Sequence, residues 1–142
     1  AMIFLLSHAT AKAAMFLAAG NLLRAAGHDR LEALAGVMRA LPVSLFAIGL
    51  AGISLIGLPP SAGFVGKWLL LGAGLEQGQW WWVATLLAGS LLAAGYVIRV
   101  VLPAFSDQAS TQTLRPVPRG MEWSALALAL ISVAAGFAGS AV

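Results

Sequence analysis

The sequence predicts an all-α membrane protein of about four transmembrane helices, the second of them broken at Pro59-Pro60. Two observations set the class. Of 142 residues, 61% are hydrophobic and 9% charged, whereas soluble domains carry about 25% charged residues. The apolar stretches also reach the ~20 residues needed to cross ~30 Å of hydrocarbon, and no strand-like alternation interrupts them. A third observation sets the break. Pro59 and Pro60 both lack a backbone N–H, so no helix runs undisturbed from Pro42 to Glu76.

Residues 1–26 form the first span, carrying Ser7, His8, Thr10 and Lys12 in its first half and Asn21 further on. A polar connector follows at 27–41. Its Leu31, Leu34, Ala35 and Met38 recur at helical spacing, which predicts a short amphipathic helix on the membrane surface. The second span comprises 42–57 and, after the break, 61–76. Gly49, Gly52 and Ser54 in its first half permit close helix packing, and Asn21 and Ser54 read as interhelical hydrogen-bonding residues. Gly63, in the motif around the break, allows tight backbone geometry. The turn after Glu76 leads to Trp80-Trp81-Trp82, an indole run suited to a membrane interface. The third span covers 80–105, with Tyr96, Arg99 and Pro103 in its last third. A polar loop, 106–121, holds Pro116 and Pro118, and the fourth span is 122–142.

The whole chain reads as a single membrane domain, residues 1–142, and as the C-terminal part of a larger subunit, because Ala1 lies in mid-helix and Val142 in an apolar run. Its orientation follows from basic residues. Arg24, Arg30, Arg39, Arg99, Arg115 and Arg119 lie on or near the side of the two longer connectors, while the Glu76 turn has no Lys or Arg. The positive-inside rule places the connectors in the cytoplasm and Lys67 on the outward side of the break.

Lys67 is the only ionisable side chain between Arg39 and Glu76. A lysine close to a helix end can snorkel to the headgroups. Lys67 stands roughly 13 Å of helix from Glu76 at ~1.5 Å per residue, too far to do so comfortably. Ionisable groups at that depth mark ion and proton pathways, and irregular backbone survives there only under cover of protein or a watery cavity. Burial and the positive end of the half-helix starting near Ser61 both act on the charge of this amine. His8 and Lys12, four residues apart, share a helical face and suit proton hopping through water. Their plainer reading is a histidine bonded to a buried carbonyl and a lysine paired with a carboxylate elsewhere. Arg99 reads as an interfacial anchor, and Glu76, Asp107 and Glu122 as solvated groups.

Several functions are excluded. The chain has no cysteine, hence no disulfide or thiolate metal site. It shows no phosphate loop, dinucleotide-binding glycine pattern, metal-ligand cluster or catalytic triad, so no cofactor and no metal are expected. Its basic residues are too scattered for nucleic acid.

Three segments resemble a known family. Ser7-His8-Ala9-Thr10-Ala11-Lys12-Ala13-Ala14-Met15-Phe16-Leu17-Ala18-Ala19-Gly20 is similar to the H-x-x-x-K helix of the antiporter-like proton-channel subunits, found in respiratory complex I, Mrp-type cation/proton antiporters and membrane hydrogenases. Residues 34–42 resemble the connector that follows it. Gly57-Leu58-Pro59-Pro60-Ser61-Ala62-Gly63-Phe64-Val65-Gly66-Lys67-Trp68 is similar to the motif of that family's late discontinuous helix. The resemblance covers about residues 5–105 in order and spacing.

It implies that this chain supplies the last four helices of a larger bundle in a prokaryotic inner membrane. It also implies that Lys67 is a terminal proton-carrying group toward the outside, with Lys12 and His8 on a hydrated midplane axis. The implied partners are other membrane subunits, lipid, protons and sodium. The implied role is proton translocation in an NADH:quinone oxidoreductase or an Mrp-type sodium/proton antiporter, without catalytic residues of its own. Two rivals stand beside it: a solute transporter, which needs a polar pocket at the break, and a purely structural subunit, whose lysines are merely paired.

Overall fold

The computed structural model describes residues 2–28, 35–105 and 114–139. Among them are six α-helices and one 3-10 turn, with no strand: α1 (Met2–Ala26), α2 (Ala35–Ala40), α3 (Pro42–Ile56), α4 (Ala62–Glu76), α5 (Trp80–Val101), the 3-10 turn Leu102–Phe105, and α6 (Arg119–Gly139). Leu31 and Leu34 of the expected surface helix, residues 106–113 of the second connector and residues 140–142 lie outside the described residues. Within α2, Val37 and Met38 are buried, as an amphipathic helix requires.

The core is a bundle of α1, α3 and α6, and small residues make it. On α1 the buried positions Ser7, Ala11, Ala14, Ala18, Asn21 and Ala25 alternate three and four residues apart. That spacing keeps one stripe facing its partners along the whole helix. Ser44, Ala47, Ala51 and Ser54 form the matching stripe on α3, and Ala125, Ala129 and Ser132 that on α6. In lipid the tails are as apolar as leucine, so association rests on close backbone approach and polar bonds, which small residues allow.

The bulky side chains face outward. Phe16, Phe46, Trp68, Leu91, Leu92 and Phe137 are exposed, the arrangement of a chain surrounded by lipid or further apolar helices. Among the described residues, three helical segments are long and apolar enough to cross a membrane alone: Met2–Ala26, Trp80–Phe105 and Arg119–Phe137. α3 is a shorter apolar helix. The protein is a multi-pass integral membrane protein.

α5 flanks the three-helix bundle and enters the core through Val97, its one buried residue, which packs against Gly52 of α3. Its α-helix stops at Val101 because Pro103 donates no backbone bond, and the 3-10 turn continues to Phe105. α6 begins at Arg119, three residues earlier than the sequence suggested. Met121 N–H bonds the carbonyl of Pro118 at 3.0 Å, so the prolines preceding α6 open its first turn. Glu122 sits in that turn, where a negative charge meets the positive end of the helix.

Candidate functional site

Between α3 and α4 the chain leaves the helix for five residues, 57–61. Gly57 closes α3 in the left-handed conformation, φ 85° and ψ 48°, a position glycine takes without steric cost. Its N–H and that of Leu58 both bond the carbonyl of Ile53 at 3.0 Å. The carbonyls of Leu55 and Ile56 therefore have no partner within their own helix, as at any helix C-terminus. The Pro59-Pro60 peptide bond is cis. Ser61 then starts α4: its Oγ accepts from Phe64 N–H at 3.2 Å and donates to the Leu58 carbonyl at 2.7 Å. Gly63, in the first turn of α4, is buried against Ser54, and a Cβ there would overlap the Ser54 carbonyl oxygen. The ends of the two helices are thus pressed together.

Lys67 uses this geometry. Its Nζ donates to the carbonyls of Leu55 at 2.8 Å and Ile56 at 2.9 Å, and to Ser90 Oγ of α5 at 2.8 Å. Three donors meet three acceptors, so the ammonium is fully bonded. From sequence alone, Lys67 falls under the positive end of α4. Its ammonium instead meets the negative end of α3, because the tight turn at Gly57 brings that end back beside the second turn of α4.

His8, Lys12 and Lys67 line one groove of about 440 Å³, together with Phe4, Leu55, Thr85, Gly89 and Tyr96. α1 forms one wall and α5 the other. His8 lies within electrostatic reach of both lysines, and its ring stands 5.9 Å from that of Phe4. The fold therefore brings together the three ionisable residues singled out in the sequence. Pro59 and Pro60 are exposed on the turn, while Gly63 sits inside the joint. Arg99 is exposed near the end of α5. Tyr96 faces the same groove. Ser90 and Thr85 were not singled out, and their one signal was a hydroxyl within an otherwise apolar span.

Two further polar clusters hold the bundle. Ser7, Ser54 and Ser132 meet from α1, α3 and α6: Ser7 Oγ lies 2.9 Å from Ser54 Oγ, and Ser132 Oγ 2.6 Å from Ser54 Oγ and 3.2 Å from the Ser7 carbonyl. At the other end of the bundle, Asn21 Nδ2 donates to Ser44 Oγ and to the Met121 carbonyl, each at 3.1 Å. Ser44 Oγ in turn donates to Glu122 Oε2 at 3.2 Å. Asn21 and Ser54 thus bond between helices, as expected from the sequence. Glu122 does not stand free in solvent: it is half-buried, because Ser44 across the bundle holds it. Among the described residues no cluster of three or more metal-ligating side chains occurs.

The NADH:quinone oxidoreductase/Mrp antiporter transmembrane family matches residues 1–93. NADH-quinone oxidoreductase subunit N of Desulforudis audaxviator is 38% identical over 84% of this chain and 25% of its own length. The D-type subunit of the Na(+)/H(+) antiporter of Bacillus subtilis is 30% identical over 96% of this chain and 28% of its own length. Among solved structures, a chain of respiratory complex I from Thermus thermophilus with bound Aureothin superposes with a TM-score of 0.75 at 30% identity, over 97% of this chain and 32% of that one. The chain thus spans about a quarter of the length of these curated relatives.

Proposed function

Because the chain belongs to the NADH:quinone oxidoreductase/Mrp antiporter transmembrane family, we propose that it carries the last step of a proton path through the membrane. In this reading Lys67 takes a proton from the groove and releases it toward the outer side, and Lys12 and His8 relay protons to it. α3 and α4 act as two halves of one broken span. Residues 57–61 make the joint that lets a side chain of α4 reach the backbone of α3. The carrying observation is the seat of Lys67: an ammonium at the end of a half-helix, bonded by three oxygens, opening on a groove that His8 and Lys12 share. A charge at such depth is costly unless bonded, and the interrupted backbone supplies the bonds.

The driving energy comes from outside this chain, from electron transfer in other subunits or from a cation gradient. Partner subunits in a prokaryotic inner membrane belong to the same proposal, since the named relatives are subunits of an oxidoreductase and of an antiporter. Lys67→Ala, introduced into the complete protein and measured in sealed vesicles, is expected to lower proton translocation at least about tenfold, or about 1.4 kcal/mol in barrier, at an unchanged amount of assembled complex. Translocation at the original rate would refute the assignment. Loss of assembly, with full activity per remaining complex, would favour the purely structural subunit.

A further inference from the structure

We propose that α6 is a strut for the Lys67 seat, with Ser132 and Gly136 as positioning residues that fix the gap the lysine crosses. This role rests on reading Lys67 as the proton-carrying group. α6 lies outside residues 1–93, the stretch that the family matches, and so far it has served only as a packing partner.

The seat is a set of bonds across a gap. The ammonium rides on the second turn of α4, while two of its three acceptors, the carbonyls of Leu55 and Ile56, belong to the last turn of α3. Between them the chain runs outside any helix through residues 57–61. Lys67 has little slack to absorb a change. Its stem lies against Gly57, where a Cβ would stand 2.7 Å from Lys67 Cδ. Nζ stands 2.8–2.9 Å from its acceptors, and such bonds fade beyond about 3.2 Å. A small shift of α4 against α3 therefore unseats the ammonium.

α6 touches both sides of this gap. On the α3 side, Ser132 Oγ lies 2.6 Å from Ser54 Oγ, and Ser54 directly precedes Leu55. On the α4 side, Gly136 is buried against the chain from Pro60 to Ala62, and a Cβ there would overlap the Pro60 carbonyl oxygen. Backbone meets backbone, so neither side can yield by turning a side chain. Ser132 and Gly136 are four residues apart, on one face of α6 and roughly 6 Å apart along its axis at ~1.5 Å per residue. An intact helix thus sets the distance between the end of α3 and the start of α4. α1 adds a further backbone contact to α4: a Cβ on Gly66 would stand 2.7 Å from Phe4 Cα. A methyl at position 136 is then accommodated by moving the joint relative to α3, which withdraws the carbonyls from Lys67.

The test uses the complete protein in its complex, in sealed vesicles. Gly136→Ala is expected to lower proton translocation per assembled complex several-fold. In a Lys67→Ala background the same substitution should lower it no further, because changes acting through one residue do not add. A multiplied loss would show that Gly136 acts apart from the seat and would overturn the proposal. Acetylation of Lys67 by a membrane-permeant anhydride, read by mass spectrometry with Lys12 as reference, gives a readout independent of activity. Released from its oxygens, Lys67 should react several-fold faster in Gly136→Ala, with Lys12 unchanged. An unchanged Lys67, or an equal rise at both lysines, would overturn the strut. Should Gly136→Ala fail to assemble, Ser132→Ala, which removes only a hydroxyl, takes its place with the same expected and contrary results. If Lys67→Ala alone leaves translocation intact, the proton role of Lys67 has failed, and the acetylation rates still decide whether α6 holds the seat.

Discussion

The hydroxyls of Ser7, Ser54 and Ser132 come from three helices and converge beside the turn that seats Lys67. Each is nearly inaccessible, at 2%, 3% and 0% exposure. In such an interior a hydroxyl without a partner costs about 1–3 kcal/mol, while a formed bond adds about 1 kcal/mol. Ser54 is the hub, because it bonds both Ser7 and Ser132 and its carbonyl meets Gly63. It also precedes Leu55 and Ile56, so any shift of Ser54 moves the carbonyls that hold Lys67. Ser54→Ala is expected to destabilise the purified protein by about 1–2 kcal/mol, measured by unfolding in detergent. An unchanged stability would mean that the remaining pair bonds equally well without it.

At the scale of elements, the joint between α3 and α4 is set by backbone chemistry. Gly57 turns the chain in a left-handed conformation, the prolines withhold two donors, and Ser61 caps the next helix. Gly63 then allows the start of α4 to lie against the end of α3. Gly63→Ala would place a methyl on the Ser54 carbonyl and force the two helices apart. The expected cost is about 1–3 kcal/mol, typical of overpacking, together with a loss of proton translocation, because the Leu55 and Ile56 carbonyls then move away from Lys67. Thermal unfolding and vesicle assays on one preparation check both. Full stability with full activity would show that the close approach is dispensable.

At the scale of the molecule, what could be read in advance was what depends on neighbours in sequence. The interruption follows from Pro59-Pro60, and the placement of His8 and Lys12 on one groove from a spacing of four. Contacts between distant segments could not be read in this way. Lys67 and Ser90 are 23 residues apart, Ser44 and Glu122 78, and Ser7 and Ser132 125. A serine in an apolar helix has the same local signature whether it faces lipid or a partner. The direction of Lys67 also escaped, because it depends on where the turn at Gly57 returns the chain. The heptad-spaced small residues of α1 were present in the sequence, but their meaning required α3 and α6 beside them.

The whole arrangement rests on Lys67 exchanging its proton instead of serving as a fixed charge. Lys67→Arg separates these roles, since a guanidinium keeps the charge and ample donors for the same oxygens but does not deprotonate in proteins. Proton translocation by the complete, assembled complex carrying Lys67→Arg is the direct measurement. The account predicts a rate as low as that of Lys67→Ala. A rate equal to that of the unaltered protein would show that the site needs only a positive charge, and would contradict it.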